Sequence, residues 1–199
     1  MRRVRYNVAA SLDGYIAGPH GEFDWIPMDP SVDFASLFAN VDTVLLGRRS
    51  YDAVVRQGGS PPWVPGTRVY VVSRTLRPEE HPDLTIVSGD IGRIVSGLRA
   101  EAGDGEIWLF GGGSLLRSLL TEAQVDAVEI TLVPILLGGG VPLLQPGAPR
   151  TVLTLTGTRV YPSGMVSLSY AVQSPAAEPG ADLPRVWWLF RAFGEAFPA

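Results

Sequence analysis

Residues 107–118 read IWLFGGGSLLRS, and this stretch decides the fold. An apolar run from Ile107 to Phe110 stops at Gly111, Gly112 and Gly113. Ser114 then opens a leucine-rich segment with helical character that runs to about Glu122. A strand that turns into a helix through glycines is the repeating unit of α/β proteins, whose helices cross over between parallel strands. The same turn can serve as an anion site, because a helix start leaves backbone N–H groups unpaired and glycine lets a ligand approach the backbone. Taken alone the glycines are equally a tight turn. The spacing fails GxGxxG, since Leu116 stands where the third glycine belongs.

Working outward, the same grammar recurs. Residues 3–10 alternate with period two, with Val4, Tyr6 and Val8 on one side and Arg3, Arg5 and Asn7 on the other. A long loop follows, SLDGYIAGPHGEFDWIPMDP, whose Tyr15, Ile16, Phe23, Trp25 and Ile26 suit a lid or ligand wall with its own anchors. A short helix is expected from Asp29-Pro30, with Asp29 as N-cap. Strand TVLLG, helix RRSYDAVVRQ (Tyr51, Val54 and Val55 inward), loop GGSPPWVPG, and strands RVYVVS and LTIV come next. Asp90 caps a helix whose Ile91, Ile94, Val95 and Leu98 share a face. After the glycines the pattern changes: AVEITLV, TVLTLT, RVYPSG and MVSLSYAV read as strands with no helix between them. The order implies an α/β fold, a mainly parallel sheet with antiparallel strands added from the C-terminal part. The domain is placed at 1–173. Residues 174–184, SPAAEPGADLP, read as a linker, and 185–199 as an aromatic helix with Val186, Phe190, Phe193 and Phe197 on one face.

Composition removes whole classes of chemistry. The 199 residues are 46% hydrophobic and 18% charged, with net charge −4, which opposes a general nucleic-acid binder. Arg2, Arg3 and Arg5 read as a solvated strand face. There is no cysteine, hence no thiolate nucleophile, iron–sulfur cluster or cysteine zinc site. All 16 basic residues are arginine, which excludes Schiff-base lysine chemistry and the P-loop. His20 and His81 read as surface-loop residues and no metal site is expected. No apolar run reaches membrane-spanning length, and the N-terminus lacks a signal-peptide core. A cytoplasmic protein with no membrane or nucleic-acid partner is the expectation.

Three strand ends share one format: Gly47-Arg48-Arg49-Ser50, Ser73-Arg74-Thr75 and Gly111-Gly112-Gly113-Ser114. In open α/β sheets ligands bind beyond the carboxyl ends of the strands. Two glycine turns with arginines at neighbouring ends suit an adenine dinucleotide that carries an additional phosphate.

The segments VAASLDGYIAG, VDTVLLGRRSYDAV, VYVVSRTL and IWLFGGGSLLRSLLTEAQVDAVEITLVPILLGGGVPLL occur in an order and spacing similar to the dihydrofolate reductase-like superfamily. They resemble above all the branch formed by the C-terminal reductase domain of the bifunctional riboflavin-biosynthesis protein, over about residues 3–172. The resemblance implies a three-layer α/β/α fold with a mixed, mainly parallel eight-stranded sheet, a homodimer, NADPH as cofactor and a small-molecule substrate. It implies that Ala9, Ala10 and Ile16 line the nicotinamide, and that Gly47, Arg48, Arg49 and Ser50 meet phosphates. It also puts Ser73 and Arg74 near the 2′-phosphate, and has Gly111, Gly112, Gly113, Ser114 and Leu115 cradle the pyrophosphate. Asp13 matches a turn that shapes the loop, and Trp25 the tryptophan that closes over a pterin.

Two positions depart from the riboflavin-pathway pattern. Asn7 stands where that branch carries lysine, and Phe110 where it carries an acid. Folate reductases use a carboxylate on the first helix, for which Asp29 and Asp33 are the candidates, Asp33 being equally a solvated helix residue. Substrate is expected near Trp25 and Phe34, with Tyr6 and Phe110 as further walls or as core. The reading is an NADPH-dependent reductase acting on a pterin- or pyrimidine-like heteroaromatic, of dihydrofolate reductase or 5-amino-6-(5-phosphoribosylamino)uracil reductase type. The alternative is a catalytically inactive nucleotide-binding protein of the same fold, with a regulatory or assembly role.

Overall fold

The computed structural model describes residues 1–56 and 65–173. The expected linker at 174–184, the aromatic helix at 185–199 and most of loop 58–66 lie outside the described residues. In chain order the elements are β1 (Val4–Ser11), β2 (Tyr15–Ala17), α1 (Phe34–Phe38), β3 (Val41–Gly47), α2 (Arg48–Arg56), β4 (Arg68–Val72), β5 (Thr85–Val87), α3 (Ile91–Ala100), β6 (Glu106–Gly111), α4 (Gly113–Thr121), β7 (Ala127–Val133), β8 (Val141–Pro142), β9 (Leu153–Val160) and β10 (Val166–Val172).

Eight strands form one sheet in the order β5-β4-β3-β6-β1-β7-β10-β9. The first six are parallel, and β10 and β9 close the edge as an antiparallel hairpin. This is the mixed, mainly parallel α/β sheet that the alternation of elements implied. The period-two pattern of β1 sorts its side chains between two layers. Val4 and Tyr6 join Leu45, Val95, Leu98, Ile107, Leu109 and Leu119 beneath α3 and α4. On the opposite face Val44, Leu46, Val71 and Trp108 form a second core packed by Phe38 of α1 and Tyr51 of α2. As expected, Asp90 caps α3 by accepting the Arg93 N–H at 3.0 Å.

Several local expectations are corrected. Asp29-Pro30 does not start a helix: α1 begins at Phe34, and its N-cap is Asp33. Val55 of α2 points outward, 56% exposed, whereas Tyr51 packs inward. The segments TVLTLT and RVYPSG are not two strands but one, β9, whose register with β10 shifts beside Ser169 and Tyr170. The long first loop contains β2, which pairs with β8 in a second small sheet that no alternation of three or two residues can announce. Arg2 and Arg5 are not a solvated face. Arg2 is 3% exposed and binds Asp42, Thr43 and the Leu98 carbonyl. Arg5, 6% exposed, pairs with Glu106 and Glu129, both at 2.8 Å. A guanidinium can be buried so because fixed carboxylates and carbonyls replace its water. His81 also leaves the surface in part, its ring edge-on to Tyr51 and its Nδ1 3.2 Å from the Tyr51 hydroxyl.

Candidate functional site

Parallel pairing brings the carboxyl ends of β1, β3, β4 and β6 to one edge of the sheet, with Leu46 opposite Gly111 and Gly47 opposite Val72. There the turns meet. A Cβ built on Gly47 would stand 3.9 Å from the Gly111 carbonyl oxygen. One on Gly112 would lie 3.5 Å from Ser50 Oγ and 3.8 Å from Ile16 Cδ1, and one on Gly111 3.8 Å from Ser50 Oγ. Ile16, Gly47, Ser50, Gly111 and Gly112, drawn from three separate stretches, therefore lie together at this edge, where the glycines leave the backbone bare. The Gly111–Gly112 peptide is cis. Gly112 is the N-cap of α4, its carbonyl accepting the N–H groups of Leu115 at 2.9 Å and Leu116 at 3.1 Å. Gly113 has no room for a side chain, since a Cβ would sit 2.7 Å from the Pro142 and 2.9 Å from the Leu143 carbonyl oxygens. Ser114 is exposed at the helix start, whereas Leu115 is buried in the core and offers the site only its backbone.

Arg48 crosses from one strand end to the next. Its Nε lies 2.7 and 2.8 Å from the carboxylate oxygens of Asp52, and its Nη1 donates to Thr75 Oγ1 at 3.2 Å. Asp52, one helical turn along α2, was not among the sequence candidates, although the i,i+4 spacing from Arg48 is legible. Ser73 is 7% exposed, and its Oγ accepts the N–H groups of Thr75 at 3.1 Å and Leu76 at 3.0 Å. Its hydroxyl oxygen thus holds the turn that presents Arg74. Arg49 and Arg74 are exposed.

The first loop is clasped to the segment after β7. Ser11 Oγ donates to Asp13 at 2.7 Å, and the Asp13 carboxylate accepts the N–H groups of Leu137 at 3.1 Å and Gly138 at 2.7 Å. The Ser11 hydroxyl, with those two N–H groups, holds the Asp13 carboxyl below its ordinary value. Asp13 shapes the loop, as the LDG turn implied. Gly140, at φ +144°, lets β8 approach so closely that a Cβ would overlap the Ala17 carbonyl. The glycines at 138–140 were the signal for this second scaffold, which carries Ile16 to the Gly112 turn.

The two candidate carboxylates serve other ends. Asp29 is 7% exposed, and it accepts from Ser31 N at 2.8 Å, Ser31 Oγ at 2.6 Å and Ser163 N at 3.0 Å. Ser163 and Ser31 hold its carboxyl well below the usual range. Asp33 caps α1 through Ser36 N at 3.0 Å and Ser36 Oγ at 2.7 Å, which also lowers its carboxyl. Both are stabilised as anions, so they suit accepting hydrogen bonds better than donating a proton.

Among the aromatic candidates, Phe34 and Phe110 belong to one run. Phe34 stacks on Phe38 at 6.3 Å, Phe38 meets Trp108 at 4.3 Å, and Trp108 meets Phe110 edge-on at 5.0 Å. Phe38 and Trp108 join them only through the packing of α1 on β6. Trp25 is half-buried and donates to the Glu22 carbonyl at 3.2 Å. Tyr6 is no substrate wall: it is fully buried on the opposite face, where burial pushes its hydroxyl above its ordinary value. Asn7 donates to Glu129 at 2.7 Å, and its carbonyl accepts from Trp108 Nε1 at 3.2 Å. Ala9 and Ala10 follow two and three residues later on β1, Ala10 fully buried. Among the described residues no group of His, Asp and Glu is placed to hold a metal ion.

Comparison with known proteins matches residues 2–167 to the family model of the RibD C-terminal domain. The uncharacterized protein YyaP of Bacillus subtilis (strain 168) is 32% identical over 179 residues, which cover 85% of this chain and 94% of YyaP. A candidate riboflavin biosynthesis protein from Shewanella sp. PV-4 has a crystal structure with a TM-score of 0.75 and 30% identity, covering 87% of this chain and 100% of that one. The fold also matches dihydrofolate reductase from Enterococcus faecalis, solved with NADP(H), at a TM-score of 0.63 and 15% identity, covering 86% of this chain and 97% of that one.

Proposed function

The chain belongs to the RibD C-terminal domain family, and from that premise we propose that it is an NADPH-dependent reductase of a small pterin- or pyrimidine-like heteroaromatic. One observation carries the reading: Ile16, Gly47, Ser50, Gly111 and Gly112 converge at the carboxyl ends of β3 and β6, beside the N-terminus of α4, and the bare backbone between them would form a notch. That notch fits a diphosphate. Its floor has no side chains to displace, its rim offers the Ser50 hydroxyl, and the helix start presents unpaired N–H groups. Arg48, fixed by Asp52 and turned toward Thr75, would meet a phosphate on the adenosine side, and Arg74 stands on the adjoining turn.

Bound there, NADPH would supply the hydride. The small side chain of Ala9 would let a flat ring lie over the end of β1, with Ala10 buried beneath it, and Ile16 would close over it from the clasped loop. Phe34 and Phe110, backed by Phe38 and the buried Trp108, would give a heteroaromatic an apolar wall and exclude water. Since Asp29 and Asp33 are held as anions by their serines, the proton reaches the substrate through ordered water. The same engagement of both carboxylates, with Asn7 and Phe110 at the departing positions, favours the second reading, a nucleotide-binding protein without turnover.

Quenching of protein fluorescence by NADPH tests the shared premise, and no binding at high micromolar cofactor overturns both readings. NADPH oxidation with dihydrofolate, and with panels of aminopyrimidines and pterins, then separates them. Turnover with any of these supports the reductase, and binding without turnover supports the second reading.

A further inference from the structure

The sheet carries an apolar face whose cover runs out toward β9. Cross-strand partners define a row: Tyr6 beside Val128, Val128 beside Tyr170, Tyr170 beside Leu155. Along it Tyr6 is 0% and Val128 6% exposed, Tyr170 is half-buried, and Leu155 is 54% exposed. Of the other rows on this face, Leu168 ends at the exposed Thr158, Val166 at Val160, 74% exposed, and Val172 at Leu153, 38% exposed. The core under α3 and α4 takes in β1, β3, β6 and β7, and the hairpin β9–β10 continues the apolar face beyond it. Exposed apolar side chains grouped on one sheet face, here with Thr158 among them, mark a docking site.

The chain itself supplies a matching occupant. β10 ends at Val172 on this face, and Gln173 still bonds the Val152 carbonyl at 3.0 Å, so the segment that follows leaves from the rim of the patch. Residues 185–197 read RVWWLFRAFGEAF. The match to the family model ends at residue 167, before this segment. The linker 174–184, about eleven residues, has a relaxed span of roughly 18 Å and a limit of roughly 36 Å. A seven-residue strand is about 23 Å long, and three strands are roughly 10 Å across. Thirteen residues in helical conformation measure about 20 Å, the length of that face. A short flexible linker gives an effective concentration on the order of millimolar, which favours the chain's own tail over a second copy.

We propose that residues 185–197 dock across the apolar face of β9 and β10 in the same chain, with their tryptophans and phenylalanines covering Leu155, Val160 and Leu153. The proposal is independent of the reductase reading.

The absence of cysteine makes the test direct. A cysteine introduced into the full chain at Leu155, and separately at the exposed Thr158, is labelled with bimane, a dye that tryptophan quenches on contact. The paired substitution W187F and W188F keeps the tail apolar and removes the quencher. Bimane emission at one site or both is expected to rise at least twofold with that pair, equally at low and high protein concentration. Unchanged emission at both sites overturns the proposal. So does emission that rises when the labelled chain with its own tryptophans is mixed with excess unlabelled W187F/W188F chain, because the tail would then come from a second copy.

Discussion

Arg48 is held in place before any ligand arrives. Its guanidinium is shared between Asp52 on its own helix and Thr75 on the next strand's turn, so binding a phosphate costs little side-chain ordering. Arg48→Ala should weaken NADPH by about 10- to 100-fold, the equivalent of a charge-assisted hydrogen bond, and NADH by less than about threefold. Fluorescence titration with both cofactors checks this, and equal losses would refute the assignment to the 2′-phosphate. Asp29 belongs to this scale as well. Its carboxyl is held low, so the stability it contributes is complete above the unfolded value of roughly 3.9 and is lost as pH falls through the folded value. Asp29→Asn turns an amide toward the Ser163 N–H and removes that titration. The variant should unfold more readily than the parent at pH 7, and its stability should fall less steeply below pH 4, as measured by urea unfolding across pH.

At the scale of elements, the glycines divide into two kinds. Gly113 lies where α4 meets the backbone of Pro142 and Leu143, and both obstacles to a Cβ are carbonyl oxygens that no side chain can move aside. Gly113→Ala should cost about 1–3 kcal/mol and loosen cofactor binding, seen as a lower urea midpoint and a weaker NADPH titration. Gly97 is interior to α3, and a Cβ there meets nothing within 4 Å. Gly97→Ala should raise stability by about 0.5–1 kcal/mol, through helix propensity alone. The small sheet β2–β8 is the less obvious element. With the Asp13 clasp it ties the first loop to the segment after β7, so Ile16 reaches the notch from a braced strand rather than a free lid. α1, five residues long and capped by Asp33, serves chiefly to lay Phe38 on Trp108.

For the whole molecule, the residues of the proposed notch come from elements far apart in the chain, so a ligand bound there would be coupled to folding. NADPH at one hundred times its dissociation constant should add about 2.7 kcal/mol, read as a rise in thermal midpoint that NADH at the same concentration does not match. Among the described residues no helix is long and apolar enough to cross a membrane. The polar side of β1 shows how tertiary context changes the meaning of a residue. Arg5 and Asn7 alternate as a solvated strand face would, yet both bind Glu129, on a strand more than a hundred residues away.

Alternation with period two, apolar spacing at three and four, capping aspartates and glycines at strand ends are local signals. They were enough to determine the α/β order, the ends of β3 and β6, the cap of α3 and the three turns at the strand ends. What needed the folded chain were the facts set by partners distant in sequence. Arg2, before β1, and Arg5, on it, became buried ion pairs because Asp42, Glu106 and Glu129 were brought to them, while Arg3 stays exposed. Asp29 and Asp33, plausible acids by position, became turn and cap acceptors because Ser163 and Ser36 hold them as anions. TVLTLT and RVYPSG fused into one strand because β10 continues beside both. Local preference fixes which conformations a segment can adopt, but a buried charge or a shared strand edge is decided by what packs against it, and that is settled only when the sheet closes.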